Sequence, residues 1–400
     1  MVIWGGCSKS SIAGSLLRAT VGPGTGRRKK ALNRLARCVD NPIMDTWHKS
    51  RRSTRLGWIA TLAVPAMLLA AVPFTTGPGG AVAASASKLP KGPVVPGATH
   101  CEMFPADNVW NTDISKLPVN KLSATWMAHM GSAATYLHPD FGPDYGGYPY
   151  GIPWTVVNPK TQPFIHLRFQ YGDESDPGPY PFGPNTPIEG GKNASGDRHA
   201  LMVDPATCVL YELYDAQYVS RTASTAGSGA IWHLSSNALR PASWTSADAA
   251  GLPITPGLLK YQEVLSGKVD HAIRFTTQCT DTAYIWPARH EAGSCGLAYP
   301  PMGARFRLSA SFSASHICKA GTPYCAQLAV VITAMQHYGL ILADNGSDWY
   351  FQGSAYPQWP IGLVEMMKQI PARDFVAVNE SCLQVSPNSG QASTARCPKA

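Results

Sequence analysis

A histidine and a glutamate occupy facing positions in a hairpin that the sequence predicts. Strand-forming runs at residues 199–203 and 208–214 flank the sequence DPAT at 204–207. This is a good turn because proline presets φ and aspartate can cap it. An even-numbered turn would place His199 directly opposite Glu212, with β-carbons about 5 Å apart. We therefore expect these two side chains to share a proton or a ligand.

The pleat of this hairpin separates its side chains into two faces. His199 and Leu201 should share one face with Glu212, while Ala200 and Met202 lie on the other. A one-residue bulge would destroy the pairing, since it would turn one strand over relative to its partner.

Several carboxyl groups near this hairpin could support hydrolysis of a glycosidic bond. That reaction needs two carboxyl groups, one as proton donor and one as nucleophile or base. Glu212 is the first choice for one of them. Asp197, Glu189 and Asp344 are the choices for the second member.

The same region could instead support elimination from a uronate. Elimination needs a cation or hydrogen-bond donor at the substrate carboxylate, which Arg198 or Arg289 could supply. It also needs a base, for which His199 or His290 would serve. The sequence leaves hydrolase and lyase open.

Aromatic side chains beside loops are candidates for sugar binding. Sugar faces are apolar with a polar rim and stack on exposed rings. We expect this role for Trp232, Trp286, Trp349 and Tyr148.

A long acidic loop precedes the hairpin at residues 172–197, and its length within a compact domain is unusual. Asp173, Glu174 and Asp176 could hold a structural calcium ion through hard oxygen ligands. The alternative is a solvated loop. No other cofactor is expected.

Charge and motifs exclude several classes of function. Residues 1–55 hold 12 of the 33 Lys and Arg and 2 of the 25 Asp and Glu, which leaves 21 against 23, or −2, for the remainder. The basic footprint of a nucleic-acid-binding protein is therefore absent downstream. The sequence also lacks GxSxG, HExxH and GxxxxGK[ST], which disfavours serine-hydrolase, zincin and nucleotide-dependent chemistry.

The amino-terminal region has the pattern of an export signal. Residues 1–43 form an upstream extension or follow a misassigned start, and residues 44–86 combine a basic segment, an apolar run and the small-residue sequences AVA and ASA. A signal anchor is the alternative, because about 18 apolar residues can also span a bilayer. We expect a Pro/Gly linker at 87–100, one globular domain at 101–380 and a disulfide-tied tail at 381–400.

Eight cysteines lie beyond the signal, and an even number in an exported chain indicates disulfides. Their connectivity is open among 105 arrangements. Short loops favour Cys318–Cys325, Cys382–Cys397 and Cys279–Cys295, which would leave Cys101 with Cys208.

The apolar periodicity indicates a β-rich fold, mainly antiparallel and sandwich-like or jelly-roll-like, with α+β as the alternative. One long helix is expected at 324–338, ending at Gly339. A second hairpin should join residues 340–343 to 349–352 through an Asn-Gly turn.

Several segments of the chain, taken together, resemble a largely uncharacterised family of secreted bacterial proteins that are sometimes found alongside carbohydrate-binding modules. These segments are FPADNVWNTDIS, SDPGPYPF with PIEGG and GDRHALMVD, SSNALRPASWTSADAAGLPITPGLLKYQEV, YIWPARH, PPMGARFRL and YGLILADNGSDWY. The resemblance covers about residues 101 to 378. It implies export and a single domain, and it assigns no catalytic residue.

These observations lead to the hypothesis of a secreted enzyme that cleaves an extracellular polysaccharide or cell-wall glycan. Its partners would include neither nucleic acid nor, after signal cleavage, a membrane. A non-catalytic protein that binds glycan or cell wall is the alternative, because it explains the aromatic residues without a carboxylate pair.

Overall fold

A computed structural model describes residues 91–398. The upstream extension and the signal peptide predicted from the sequence lie outside the described residues. Within residues 91–398 the chain is β-rich, and most strand pairs are antiparallel, which confirms the expected fold class. Four strand pairs in this part of the chain are parallel, and three of them belong to the two larger sheets, which are therefore mixed.

The elements of the described chain are short and numerous. The strands are β1 (Val94–Val95), β2 (Ala98–Glu102), β3 (His138–Asp140), β4 (Asp144–Tyr145), β5 (Tyr148–Pro149), β6 (Trp154–Val156), β7 (Arg168–Phe169), β8 (Ala200–Asp204), β9 (Val209–Tyr214), β10 (Thr225–Ala226), β11 (Ser228–His233), β12 (Ile273–Thr277), β13 (Arg305–Leu308), β14 (Leu340–Asn345), β15 (Tyr350–Gln352) and β16 (Phe375–Ala377). The α-helices are α1 (Ser123–His129), α2 (Tyr261–Ser266), α3 (Cys325–His337) and α4 (Ile361–Met367). Short 3-10 turns occupy Val109–Asn111, Gly172–Glu174, Thr255–Gly257, Ala314–His316, Ala372–Asp374, Ser381–Leu383 and Thr394–Arg396.

Two sheets organise these elements. One has six strands in the order β16-β13-β14-β12-β15-β3, and the other has four in the order β11-β9-β8-β6. Because β9 runs antiparallel to both β8 and β11, the start of β8, the end of β9 and the start of β11 lie at the same end of the smaller sheet. A cavity lies between this end and the end of β14 in the larger sheet.

The predicted hairpin is present as β8 and β9, but its register differs by two residues from the expected one. Leu201, rather than His199, lies opposite Glu212. His199 instead lies near Tyr214, with ring centroids 5.9 Å apart. The expected cross-strand pairing of His199 with Glu212 is therefore wrong.

The chemistry of the turn explains this shift. Asp204 stays within β8, and its carboxylate accepts hydrogen bonds from the Ala206 amide at 2.9 Å and the Thr207 hydroxyl at 2.8 Å. The turn therefore lies one residue later than expected, and it closes through Cys208 at a φ of 51°. The shift leaves the faces unchanged, because side chains alternate with a period of two.

The predicted second hairpin does not form, because β12 lies between β14 and β15. Phe275 on β12 pairs with Leu342 on one side and with Phe351 on the other. All five residues of β12 are buried, as in a central strand that needs partners on both edges. Asp344 consequently lies at the end of a strand beside β12, which carries Arg274.

The predicted long helix is confirmed as α3, which spans Cys325–His337. Leu328, Val331, Ile332 and Met335 are buried on one side of it. Gly339 follows with a φ of +70°, and its position against the Phe306 carbonyl leaves no room for a β-carbon.

All eight cysteines of the described chain form disulfides: Cys101–Cys208, Cys279–Cys295, Cys318–Cys325 and Cys382–Cys397. Three of these are the pairs that short loops favoured, and Cys101–Cys208 is the pair that those three left. They are compatible with a secreted protein. None of the helices between residues 91 and 398 combines the length and the apolar character needed to cross a membrane.

Ordered structure begins before the expected domain boundary. The β1–β2 hairpin occupies part of the predicted linker, and Val95 and Ala98 are buried in the core. At the other end, the segment after residue 380 packs back on the domain, since Ser389 bridges to Ala238 and Gln391 to Asn108.

Candidate functional site

A cavity of about 430 Å³ lies where one end of the four-stranded sheet faces the end of β14. We call it the Asp344 cavity. It is lined mostly by polar and acidic residues: Tyr171, Glu174, Asp197, Tyr214, Ser228, Thr245, Ser246, Ala247, Asp248, Ala249, His290, Ala292, Asp344 and Asn345. Most of them come from strand ends and connecting loops, which a rigid pair of sheets holds in place.

Asp344 is a carboxyl group of this cavity whose pKa is strongly altered by its surroundings. Its side chain is 27% exposed and lies 3.9 Å from the buried guanidinium of Arg274. Burial and then repulsion by Asp248 raise the pKa of Asp344 to about 7, although Arg274 opposes the rise. Near neutral pH a large fraction of Asp344 is therefore protonated and able to donate a proton.

Arg274 and Asp248 form a buried ion pair beside Asp344. Both side chains are fully buried, and Arg274 Nη2 donates to Asp248 Oδ2 at 2.6 Å. Arg274 also donates to the side-chain oxygen of Gln352, and the Ala250 amide donates to Asp248 at 2.8 Å. Burial raises the pKa of Asp248, and the charge of Arg274 opposes this shift.

Asp197 lies at the boundary of a second cavity. It is exposed, it raises the pKa of Asp344, and its carboxylate has no hydrogen-bond or ion-pair partner among the residues that the structure describes. Asp140, Glu189, Glu174, Asp248 and Asp344, the other carboxyl groups of the two cavities, each accept at least one hydrogen bond. Asp197 is thus the carboxylate most accessible to a bound molecule.

The second cavity also has a volume of about 430 Å³, and we call it the Tyr148 cavity. Its lining combines carboxylates with aromatic rings and glycines: Asp140, Gly146, Tyr148, Pro149, Tyr150, Gly151, Glu189, Gly190, Ser195, Asp197 and Arg198. The Tyr150 hydroxyl donates to Asp140 Oδ1 at 2.5 Å. Asp197 is common to both linings, so the two cavities meet there.

His199 connects the walls of the two cavities from within the core. Its Nδ1 lies 2.6 Å from Glu189 Oε2, and its Nε2 lies 3.0 Å from the Ala247 carbonyl oxygen. Because both partners are acceptors, both ring nitrogens must donate, which requires the imidazolium form. Burial alone would lower the pKa of His199, but the charge of Glu189 raises it to about 9.

Glu212 is a structural residue, which corrects its expected catalytic role. It is fully buried, and its two oxygens accept hydrogen bonds from the Ile254 and Thr255 amides, the Thr255 hydroxyl and the Trp232 indole. Burial raises the pKa of Glu212, and the hydrogen bonds from Ile254 and Thr255 oppose the rise. A substrate has no access to this carboxyl group.

The two arginines expected to bind a substrate carboxylate are committed to the protein. Arg289 is buried and donates to the carbonyl oxygens of Arg240 and Pro387 and to the side chain of Asn388. Arg198 reaches the edge of the Tyr148 cavity, but its guanidinium donates to the carbonyl oxygens of Lys192, Ala194 and Ala216.

His290 lines the Asp344 cavity at its outer side. Its Nδ1 lies 2.8 Å from the Ala249 carbonyl oxygen, and its Nε2 lies 4.0 Å from Glu174 Oε2. Of the histidines expected to act as a base, it is therefore the one that faces a cavity, while His199 is buried.

The aromatic residues expected to bind sugars divide into buried and exposed rings. Trp349 and Trp232 are core residues, and their indole nitrogens donate to the Met130 carbonyl and to Glu212, so this expectation was wrong for both. Trp286 is half-buried and donates to the Ser389 carbonyl. Tyr148 is 47% exposed and lines its cavity.

The acidic loop is held by protein donors. Asp176 accepts from the Arg240 guanidinium at 2.5 Å and from the Ile231 amide at 2.9 Å, and Glu174 accepts from the Thr245 amide at 3.1 Å. In residues 91–398, the group of His, Cys and acidic side chains close enough to hold a metal is His100 with Cys101 and Cys208, whose sulfurs form a disulfide. Two of the three carboxylates of the expected calcium site, Glu174 and Asp176, are thus engaged by protein donors, whereas Asp173 is exposed.

Sequence reasoning missed Arg274 and its partner Asp248. The signal for Arg274 was available, since an arginine at 274 interrupts the apolar strand AIRFTT and a charge in a central strand requires a buried partner. Asp248 offered no comparable signal, because an aspartate in a loop is ordinarily a turn residue.

Comparison of the chain with protein-family models, with curated proteins and with solved structures found no match.

Proposed function

We propose that this protein is a secreted hydrolase that cleaves an extracellular glycan at the Asp344 cavity. The observation that carries the proposal is a pair of carboxyl groups with different environments at one cavity. Asp344 has a pKa of about 7 and is partly buried, whereas Asp197 is exposed and has no partner among the described residues. Two carboxyl groups that differ in this way can divide the roles of acid and nucleophile or base.

In this mechanism Asp344 donates its proton to the glycosidic oxygen as the bond between that oxygen and the anomeric carbon breaks. The Asp197 carboxylate stabilises the positive charge that develops on the sugar, acting as nucleophile or as base for water. Water supplies the hydroxyl group that replaces the leaving sugar, and its remaining proton restores the acid. Burial and the charge of Asp248 keep Asp344 in its proton-donating form, and the charge of Arg274 opposes them.

Hydrolysis fits this site better than elimination from a uronate. A lyase needs a cation or donor aimed at the substrate carboxylate, but Arg289 is buried and Arg198 donates to backbone carbonyls. The lining of both cavities carries an excess of carboxyl groups, which would repel a uronate. A glycan without carboxylates is therefore the proposed substrate.

A non-catalytic glycan-binding protein is the alternative. It accounts for the exposed tyrosines Tyr148 and Tyr171 at the cavities. It does not account for a partly buried Asp344 in the same cavity as Asp197, since a binding surface has no need for a proton donor.

The test compares wild type with Asp344→Asn and Asp197→Asn on a panel of neutral and uronic polysaccharides. Release of reducing ends measures cleavage, and ultraviolet absorbance separates lyase products from hydrolase products. We expect each variant to lose activity by about a hundredfold or more, the scale of acid–base catalysis. Asp173→Asn is the matched control, because Asp173 is exposed and lies outside both cavity linings.

Two results would contradict the proposal. Variants that cleave as fast as wild type would remove Asp344 and Asp197 from the reaction. Wild-type protein that binds insoluble polysaccharides and releases no product from the panel would support the binding protein instead.

A further inference from the structure

We infer that the Tyr148 cavity is a second sugar-binding subsite, so that one polysaccharide chain occupies both cavities and is cut at an internal bond beside Asp197. This inference rests on the proposed function, and it adds the mode of attack and the region that recognises the chain. Three features of the cavity lead to it.

The first feature is the connection between the cavities. Each has a volume of about 430 Å³, and Asp197 belongs to both linings. A chain that places its reacting bond at Asp197 therefore has space for sugar units on either side. An enzyme that removes units from a chain end needs space of this kind on one side only.

The second feature is the support beneath Tyr148. A β-carbon on Gly191 would lie 2.4 to 2.9 Å from three carbon atoms of the Tyr148 ring, so the ring packs directly on the glycine backbone. The ring nevertheless remains 47% exposed at the cavity. A ring held on one side and open on the other is a stacking platform that loses little conformational entropy when a sugar binds.

The third feature is one hydrogen-bond acceptor in the same cavity lining, the Glu189 carboxylate. Glu189 uses one carboxylate oxygen, Oε2, for His199, and its Oε1 has no hydrogen-bond partner among the described residues. Burial alone would raise the pKa of Glu189, but the charge and hydrogen bonds of His199 lower it. Glu189 is thus an ionised acceptor at the cavity wall, suited to the hydroxyl groups of a sugar rim.

The test uses Tyr148→Ala and hexamers of β-1,4-linked glucose, xylose, mannose and N-acetylglucosamine, each with its short 4-nitrophenyl glycoside. For the hexamer that wild type cleaves, we expect Tyr148→Ala to lower kcat/KM about tenfold, the scale of one aromatic contact. The short glycoside, which cannot reach the Tyr148 cavity from the reacting bond, should change less than about twofold in kcat/KM. Tyr136→Ala is the matched control, because Tyr136 is also 47% exposed and lies outside both linings.

The lengths of the products test internal cleavage independently of the Tyr148→Ala variant. Internal cleavage by wild type should release fragments of intermediate length first and should lower the viscosity of a polymer early in the reaction. Release of single units from the chain end, or a Tyr148→Ala variant that matches wild type on the hexamer, would overturn the inference while leaving hydrolysis intact.

If no glycan in the panel is cleaved, a binding assay distinguishes the two proposals. Affinity electrophoresis in gels containing soluble neutral polysaccharides requires no turnover. Retardation of wild type that Tyr148→Ala loses would retain the Tyr148 cavity as a sugar subsite and reject the hydrolase. Absence of retardation for wild type would reject both.

Discussion

His199 and Glu189 form a hydrogen-bonded ion pair, with Nδ1 2.6 Å from Oε2, at the wall between the Tyr148 and Asp344 cavities. The histidine is 3% exposed and Glu189 is 27% exposed at the side chain. This pair ties the loop that carries Glu189 to the start of β8 and, through Ala247, to the loop that carries Asp248. The positions of both cavity walls therefore depend on a charged histidine.

The first prediction concerns the pH dependence of stability that this pair creates. The pKa of His199 is raised from 6.5 to about 9 in the folded protein, so its stabilising effect is present below pH 6.5 and is lost as pH rises through about 9. The difference corresponds to about 3 kcal/mol. We expect the melting temperature of His199→Asn to depend less steeply on pH in this window than that of wild type. His166→Asn is the control, since His166 is exposed; equal slopes for His199→Asn and wild type would contradict the charged state.

The second prediction concerns Asp344 as a proton donor. Hydrolysis should be lost as pH rises through about 7, because the acid form of Asp344 is then depleted. Residual activity of Asp344→Asn should lack this alkaline limb.

The same raised pKa also makes stability depend on pH. The pKa of Asp344 is 3.8 in the unfolded chain and about 7 in the folded protein, so wild type loses stability as pH rises from 3.8 to about 7. Asp344→Asn has no proton to lose and should therefore melt higher than wild type at pH 8. A variant that melts lower at pH 8 would indicate a structural role.

The third prediction concerns Glu212 as a structural acceptor. Both of its oxygens accept from N–H donors, so the amide nitrogen of Glu212→Gln would face a donor in either orientation. We expect the free energy of unfolding to fall by about 1–3 kcal/mol. Calorimetric melting measures this loss, and cleavage activity per folded molecule should stay the same. Glu365→Gln, on an exposed side chain, is the control; a Glu212→Gln variant that is stable but inactive would restore the catalytic role.

The fourth prediction concerns Glu380, whose buried carboxyl group has no hydrogen-bond partner in residues 91–398. Its nearest cation, Arg305, lies 3.9 Å away and donates instead to the carbonyl oxygens of Tyr338, Val109 and Thr112. Burial therefore raises the pKa of Glu380 to about 8, although Arg305 opposes the rise.

Wild type should then lose stability as pH rises from 4.5 to about 8. Glu380→Gln should melt higher than wild type at pH 8.5 and similarly at pH 4.5, because it has no proton to lose. Thermal melting at the two pH values measures both differences. A variant that melts lower at pH 8.5 would show that the pair with Arg305 is ionised and stabilising.

Local chemistry in the sequence was sufficient to predict the first hairpin, the long helix and three of the disulfides. Proline after Asp204 indicated a turn, the spacing of Leu328 and Val331 indicated a helical face, and short loops indicated three of the four cysteine pairs. Each of these signals acts between residues close in sequence. The register of the hairpin goes with side-chain capping by Asp204, which no alternation of residues reveals.

Burial and charge environment were decided by the tertiary structure alone. The sequence could not distinguish Trp349, which is in the core, from Tyr148, which is exposed, because both are aromatic residues beside turns. Glu212 and Asp344 are both acidic residues in strands, yet donors surround the first and a cavity exposes the second. The sequence named Asp344 and Asp197 as candidate carboxylates, but their place in one cavity lining depends on β12 separating β14 from β15 and on the position of the chain just before β8. The pKa of Asp344 is raised because folding removes water and places Asp248 nearby, which is a property of positions in space and not of order along the chain.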